Sequence, residues 1–82
     1  MTNPSEKQLV TLFVVPDCPL CEHARQWLKQ HKVDYVELNV ADSFGALRKM
    51  YELTRQRLVP VFEVNGQARV RPTDEELAEF LL

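Results

Sequence analysis

The hydrophobic pattern of the N-terminal half predicts a strand, a helix and a second strand. Residues 9–15 form a continuous apolar run, which is typical of a strand buried on both faces. Residues 19–31 follow helical periodicity, and Pro19 suits a first helical position. The apolar positions of this helix are Ala24, Trp27, Leu28 and His31. Residues 33–39 predict a second strand. A strand–helix–strand order predicts a parallel, right-handed unit.

The C-terminal half predicts a second helix and then a hairpin. Ser43 is a suitable N-cap for a helix over residues 44–55. Its expected inward face consists of Phe44, Leu47, Met50 and Tyr51. Residues 61–64 predict a third strand, and residues 67–71 its returning partner. Asn65-Gly66 between them is a strong hairpin-turn signal.

A capping box predicts where the last helix begins. Thr73 is followed three residues later by Glu76, the spacing at which cap and side chain satisfy each other's backbone N–H groups. Leu77, Phe80 and Leu81 are expected to face inward. The complete order is βαβαββα. It predicts an α/β fold with a four-stranded mixed sheet and helices on both faces.

Length, composition and charge narrow the functional classes. The 82 residues, 45% of them apolar, suffice for one small domain, expected at residues 9–82 after a flexible lead at residues 1–8. A net charge of −2 argues against a nucleic-acid partner. No segment approaches the roughly 20 apolar residues of a membrane span. The polar N-terminus lacks a signal-peptide pattern, so a cytoplasmic location and no membrane partner are expected.

The two cysteines carry the strongest chemical signal. Cys18 and Cys21, the only cysteines of the chain, stand in a C-x-x-C motif between the first strand and the first helix. A helix N-terminus offers unpaired N–H groups and a partial positive charge, which favour a thiolate. Cys18 is therefore the expected nucleophile. Cys21, one turn into the helix, is the expected resolving cysteine.

Other interpretations of the cysteine pair remain open. Both cysteines could simply be buried apolar residues. The motif could also supply half of a zinc site. However, His31 lies about 15 Å along the helix from Cys21, and His23 points to a different side. An iron–sulfur cluster shared between two chains is the third alternative.

Three motifs together resemble the glutaredoxin-like family of the thioredoxin fold. They are Cys18-Pro19-Leu20-Cys21, Val59-Pro60 followed by a strand and Asn65-Gly66, and Thr73-Asp74 at the start of the last helix. The resemblance covers about residues 9–82, and the chain looks most like divergent bacterial members of this family. It implies that the order βαβαββα forms the minimal thioredoxin (glutaredoxin-like) fold.

The resemblance also implies a function and a set of binding residues. Pro60 would be cis and face the cysteines, and the main chain of Val59 would pair with an extended peptide or glutathione. Thr73 and Asp74 would present a helix N-terminus to a carboxylate of glutathione. The implied protein is a monomeric dithiol/disulfide oxidoreductase without a tightly bound cofactor. Its electrons would come from glutathione or a thioredoxin-type reductase, and its substrates would be disulfides of proteins or small molecules.

A different class of function fits the same resemblance. Some glutaredoxin-like modules are not enzymes. The alternative is therefore a redox-sensing or iron–sulfur and metal-handling module.

The sequence departs from the family pattern around the expected glutathione site. Val70-Arg71-Pro72 stands where glutaredoxins usually have Gly-Gly, and Leu20 replaces an aromatic residue. Side chains there would keep the backbone away from a ligand, and Pro72 lacks an N–H. We therefore expect weaker handling of glutathione than in a standard glutaredoxin, although Arg71 could pair with a glutathione carboxylate. Arg25, two turns beyond Cys18, could raise the local potential slightly.

Overall fold

The computed structural model describes residues 9–82, and the lead expected at residues 1–8 lies outside them. The order of elements is the predicted one. The strands are β1 (Val10–Val14), β2 (Tyr35–Asn39), β3 (Val61–Val64) and β4 (Gln67–Val70). The helices are α1 (Pro19–Gln30), α2 (Phe44–Thr54) and α3 (Asp74–Leu81).

The four strands form one mixed sheet in the order β2-β1-β3-β4. β1 runs parallel to β2 and antiparallel to β3, and β3 and β4 form the antiparallel hairpin. Within the register, Phe13 pairs with Leu38 on one side and with Val61 on the other. The end of β1 and the beginning of β3 therefore lie side by side at the same end of the sheet. The cysteine motif and the Val59-Pro60 motif are both at this end.

The central strand shows that both faces of the sheet are covered. Every residue of β1 is buried, and successive side chains of a strand point to opposite faces. A strand of this kind needs apolar residues at every position, which explains the continuous rather than alternating run in the sequence. The predicted α/β fold, a mixed sheet with helices on both faces, is confirmed.

The apolar face predicted for α2 is partly wrong. Phe44 is 79% exposed and Tyr51 is also exposed, whereas Ala46 and Met50 are buried. Leu47 packs against the core as predicted, and so does Leu53. The buried stripe passes through the small Ala46 rather than the large Phe44, because Phe44 precedes Ala46 by two residues and so lies about 200° around the helix from it. α2 also ends at Thr54, one residue earlier than predicted.

The hairpin and the last helix follow their local signals. Asn65 and Gly66 have positive φ angles of 52° and 84°, as a type I′ turn requires. The predicted capping box is formed, with Thr73 and Glu76 satisfying each other's backbone N–H groups. Leu77 is buried, and Phe80 packs against the core while the Arg69 guanidinium lies 4.4 Å from the centre of its ring.

Candidate functional site

The cysteine motif lies at the junction of β1 and α1. Cys18 is the N-cap of α1 in an extended conformation, and Pro19 occupies the first turn. The sulfurs of Cys18 and Cys21 are paired, with their Cα atoms 5.2 Å apart, a separation that suits a disulfide. Cys21 is fully buried, whereas Cys18 is partly exposed. Only Cys18 is therefore accessible to a substrate.

The backbone of α1 provides a polar environment for the Cys18 sulfur. The N–H of Cys21 lies 3.1 Å from this sulfur and donates to it. The positive end of the helix dipole acts at the same atom. Both interactions favour a thiolate over a neutral thiol at Cys18. This environment is the one expected for the nucleophile of the pair.

Arg25 adds little net positive charge near Cys18. Its Nε and one amino group donate to Glu37 at 2.8 and 3.0 Å, and its other amino group donates to Glu22 at 2.9 Å. The hydrogen bonds to Glu37, and then to Glu22, hold the pKa of Arg25 above its ordinary value against the lowering effect of burial. Arg25 thus stays charged, but two carboxylates balance its charge.

The Val59–Pro60 peptide bond is cis, as the family resemblance implied. Pro60 is buried, and Val59 is only 7% exposed. The carbonyl of Val59, which the sequence suggested as an acceptor for substrate, already accepts a hydrogen bond from Nε of Arg71 at 2.7 Å. The N–H of Arg71 donates to the carbonyl of Pro60 at 3.0 Å.

Thr73 and Asp74 both have partners within the protein. The hydroxyl of Thr73 accepts from Glu76 N–H at 3.1 Å, and the N–H of Thr73 donates to the Glu76 carboxylate at 2.8 Å. The carboxylate of Asp74 lies 2.9 Å from Nε2 of His23. The first turn of α3 also contains three acidic residues, Asp74, Glu75 and Glu76. Their charges oppose the binding of a ligand carboxylate at this helix end.

A small cavity brings the separate motifs together. Its volume is about 70 Å³, and its lining includes Leu20 and His23 of α1, Pro60, Arg71 and Pro72. The cysteine motif, the Val-Pro motif and the segment that replaces Gly-Gly are therefore neighbours in space. The cavity can hold only a small group, and its lining combines apolar side chains with those of His23 and Arg71.

The contact between His23 and Asp74 could not be found by reading local motifs. His23 and Asp74 are 51 residues apart in sequence, and the helical pattern indicated only that His23 points to a different side from Cys21. His31, the other histidine weighed as a metal ligand, stacks on Trp27 with ring centres 4.0 Å apart. Across residues 9–82, no group of three or more His, Cys, Asp or Glu side chains is arranged to hold a metal ion.

A comparison of the sequence with known families matches a stretch of the chain that contains the cysteine motif and most of the fold. The glutaredoxin family model matches residues 10–69, a stretch that contains both cysteines and Val59-Pro60. The chain belongs to the glutaredoxin family. The matched stretch of this glutaredoxin-family protein ends before Arg71 and Thr73, so the segment that departs from the family pattern lies beyond it.

Individual relatives agree with this assignment. An uncharacterised glutaredoxin-like protein of the rubredoxin operon of Clostridium pasteurianum is 33% identical over 58 residues, which are 71% of this chain and 77% of that protein. The global transcriptional regulator Spx of Streptococcus pyogenes serotype M3 is 49% identical over 75 residues. That match covers 89% of this chain, but the chain spans only half the length of Spx.

A solved structure supports the fold independently. The crystal structure of a thioredoxin-like protein superimposes with a TM-score of 0.82 at 23% identity, covering 89% of this chain and 99% of that one. Within the described part of this glutaredoxin-family protein, none of the helices has the length and apolar character needed to cross a membrane.

Proposed function

We propose that this protein is a thiol–disulfide oxidoreductase that reduces disulfides of proteins or small molecules through Cys18 and Cys21. The observation that carries the proposal is the pairing of the two sulfurs at the head of α1, with Cys18 partly exposed and Cys21 buried. The same pair in a glutaredoxin-family chain supports redox chemistry over two inert buried thiols. We infer a monomer that works in the cytoplasm, without a membrane or nucleic-acid partner.

The proposed reaction transfers two electrons to the substrate. The Cys18 thiolate attacks one sulfur of the substrate disulfide, forming a mixed disulfide, and the other substrate sulfur leaves as a thiolate that takes up a proton. Cys21, after losing its proton, attacks the Cys18 sulfur and releases the second substrate thiolate, which is protonated in turn. The products are a substrate dithiol and the Cys18–Cys21 disulfide. No tightly bound cofactor takes part in these steps.

Substrate binding in this proposal uses the groups around the cavity. The N–H of Val59 and the surface next to Pro60 would hold the substrate backbone near Cys18. Thr73 and Asp74 would offer the start of α3 to a carboxylate. The capping box, the His23–Asp74 contact and the acidic first turn all compete with that role. For this reason we propose that glutathione binds weakly, as the absence of Gly-Gly already suggested.

The reductant that restores the dithiol is part of the same proposal. Two molecules of glutathione, or a thioredoxin-type reductase, would supply the electrons. Turnover of one disulfide substrate by this protein should be compared between two electron donors, glutathione plus its reductase and thioredoxin reductase. Turnover with glutathione at the level of a standard glutaredoxin would contradict weak glutathione handling. It would leave the dithiol chemistry intact.

A trapping experiment tests the function itself. Reduced Cys21→Ser protein is mixed with an excess of a disulfide-bonded peptide, and the products are measured by mass spectrometry. We expect a stable mixed disulfide through Cys18, because the resolving sulfur is missing. The matched Cys18→Ser variant should form little adduct, since Cys21 is buried. The wild-type protein should become lighter by two hydrogens without retaining the peptide. A wild-type protein that stays reduced would contradict the proposal.

A redox-sensing role is the second candidate, and the similarity to Spx favours it. Spx is named as a global transcriptional regulator, and 89% of this chain aligns with it. In that role the Cys18–Cys21 pair would register oxidation without turning over a substrate. Rapid oxidation by peroxide combined with negligible disulfide turnover would support the sensor. An iron–sulfur module, the other non-enzymatic alternative, would be recognised by visible absorption of the protein as purified.

A further inference from the structure

The backbone places Arg71 directly across the hairpin from Pro60. Val61 pairs with Val70 in the β3–β4 register, and the hydrogen bond from Arg71 N–H to the Pro60 carbonyl extends this ladder by one step. Arg71 then adopts a positive φ of 47°, a conformation that favours glycine. The chain nevertheless has arginine here, in the segment where glutaredoxins usually have Gly-Gly. Arg71 therefore combines a strained backbone conformation with a side chain that makes contacts of its own.

The side chain of Arg71 is fixed at one end and available at the other. Its Nε donates to the carbonyl of Val59 at 2.7 Å, which orients the planar guanidinium. Its amino groups retain further N–H donors. Within residues 9–82, no carboxylate lies within ion-pair distance of Arg71, whereas Arg25 contacts two. Arg71 lines the cavity beside Leu20 and Pro60, so its charge is available to a bound molecule.

We propose that Arg71 is a specificity-determining residue that selects disulfide substrates with a carboxylate next to the reacting cysteine. The inference rests on the proposed oxidoreductase function. A guanidinium oriented by one hydrogen bond binds a carboxylate with little further loss of side-chain freedom. The bond to Val59 also engages the carbonyl through which any peptide backbone, acidic or neutral, would pair. The charge of Arg71 is therefore what favours acidic peptides over neutral ones.

The acidic side chains around the site mean that selection of an acidic substrate depends on the charge of Arg71. The side chains of Asp17 and Glu22 lie on the surface around Cys18, and the first turn of α3 is acidic. These groups repel an acidic substrate. Without Arg71, the protein should therefore react with an acidic disulfide no faster than with a neutral one.

The test compares two peptides in a single turnover. Each peptide has one internal disulfide, and they differ only in having Glu or Gln beside each cysteine. Prereduced protein is mixed with excess peptide at low ionic strength and quenched with acid. The fraction of protein lighter by two hydrogens is followed by mass spectrometry. We expect the wild-type protein to react about fivefold faster with the Glu peptide, the effect expected of a partly exposed ion pair.

Two variants assign the preference to one arginine. Arg71→Met keeps the aliphatic stem and removes the charge, so the ratio of the Glu-peptide rate to the Gln-peptide rate should fall to about one or below. Arg69→Met removes the same charge two positions away and should retain the fivefold ratio. Equal rates in the wild-type protein, or a ratio that survives Arg71→Met, would overturn the inference while leaving the oxidoreductase function in place. Oxidation of the wild-type protein by neither peptide would instead refute the proposed function.

Discussion

At the scale of single residues, the two cysteines differ in exposure and hydrogen bonding because they occupy different positions at the start of α1. Cys18 stands at the cap, where its sulfur accepts the Cys21 N–H and remains partly exposed. Cys21 lies in the first turn and is fully buried. Burial slows the attack of any reagent, while the helix end stabilises the anion at Cys18. The division of roles between nucleophile and resolving thiol follows from these positions.

Alkylation rates should reveal this asymmetry. With reduced protein and limiting iodoacetamide near neutral pH, we expect Cys18 to be modified at least about tenfold faster than Cys21, because the buried sulfur is inaccessible. Peptide mapping by mass spectrometry measures both rates in the same sample. The denatured protein is the control, in which the two rates should converge. Faster labelling of Cys21 in the native protein would reverse the assignment of the two roles.

What the sequence predicts at this scale depends on how far a contact reaches along the chain. The cysteine motif and the Thr73 cap depend on neighbours within one helical turn, so their local pattern identifies them. The contact between His23 and Asp74 joins residues 51 positions apart, and no local pattern indicates it. The Arg71 bond to Val59 is similar, because it requires the hairpin register and a positive φ that arginine rarely adopts.

At the scale of elements, caps and turns determine where helices and strands begin more reliably than periodicity determines which face is buried. Ser43, Thr73 and Asn65-Gly66 all act as predicted. The predicted face of α2 is wrong at Phe44 and Tyr51, because a large apolar side chain does not by itself mark the buried face and the packing uses Ala46. A small residue can occupy the point of closest approach to the sheet, and a large residue cannot.

Substituting alanine for each of the two glycines should change the free energy of unfolding in opposite directions. Gly66 has a φ of 84° with open space where a Cβ would go, so Gly66→Ala should destabilise the fold by about 1–2 kcal/mol through backbone strain alone. Gly45 lies in α2, and an added Cβ would meet only Ser43 Oγ at 3.9 Å. Gly45→Ala should therefore stabilise the fold by about 0.5 kcal/mol through helix propensity.

Urea denaturation followed by circular dichroism measures both changes. The two variants serve as controls for each other, because the chemical change is the same. Stabilisation by Gly66→Ala would show that the turn can adopt another geometry. Destabilisation by Gly45→Ala would show that α2 packs more closely at Gly45 than the structure indicates.

At the scale of the whole molecule, one strand connects the core to the site. β1 is buried along its entire length, pairs with both neighbours and leads directly into the cysteine motif. A domain of 82 residues buries a limited fraction of its surface, so its net stability is small. The fold class was predictable because each element carried its own signal. The cavity was not, since it forms only where distant motifs meet.

Two phenylalanines test whether this central strand governs global stability. Phe13 in β1 is fully buried, whereas Phe44 in α2 is 79% exposed. Phe13→Ala should cost about 3–5 kcal/mol from lost burial and a cavity, a large part of the roughly 5–15 kcal/mol that holds a native protein together. Phe44→Ala should change the free energy of unfolding by less than about 0.5 kcal/mol, as is usual for exposed positions.

Urea denaturation followed by circular dichroism compares these variants with the wild-type protein. If Phe13→Ala does not fold, Phe13→Leu provides the measurement, with an expected loss of about 1–2 kcal/mol. A loss at Phe44 as large as that at Phe13 would show that the outer surface of α2 is buried in solution, contrary to the structure. Because β1 ends beside Cys18, the unfolding midpoint and loss of disulfide turnover should coincide in every variant that folds. An activity lost well before the global transition would separate the site from the core that we expect to support it.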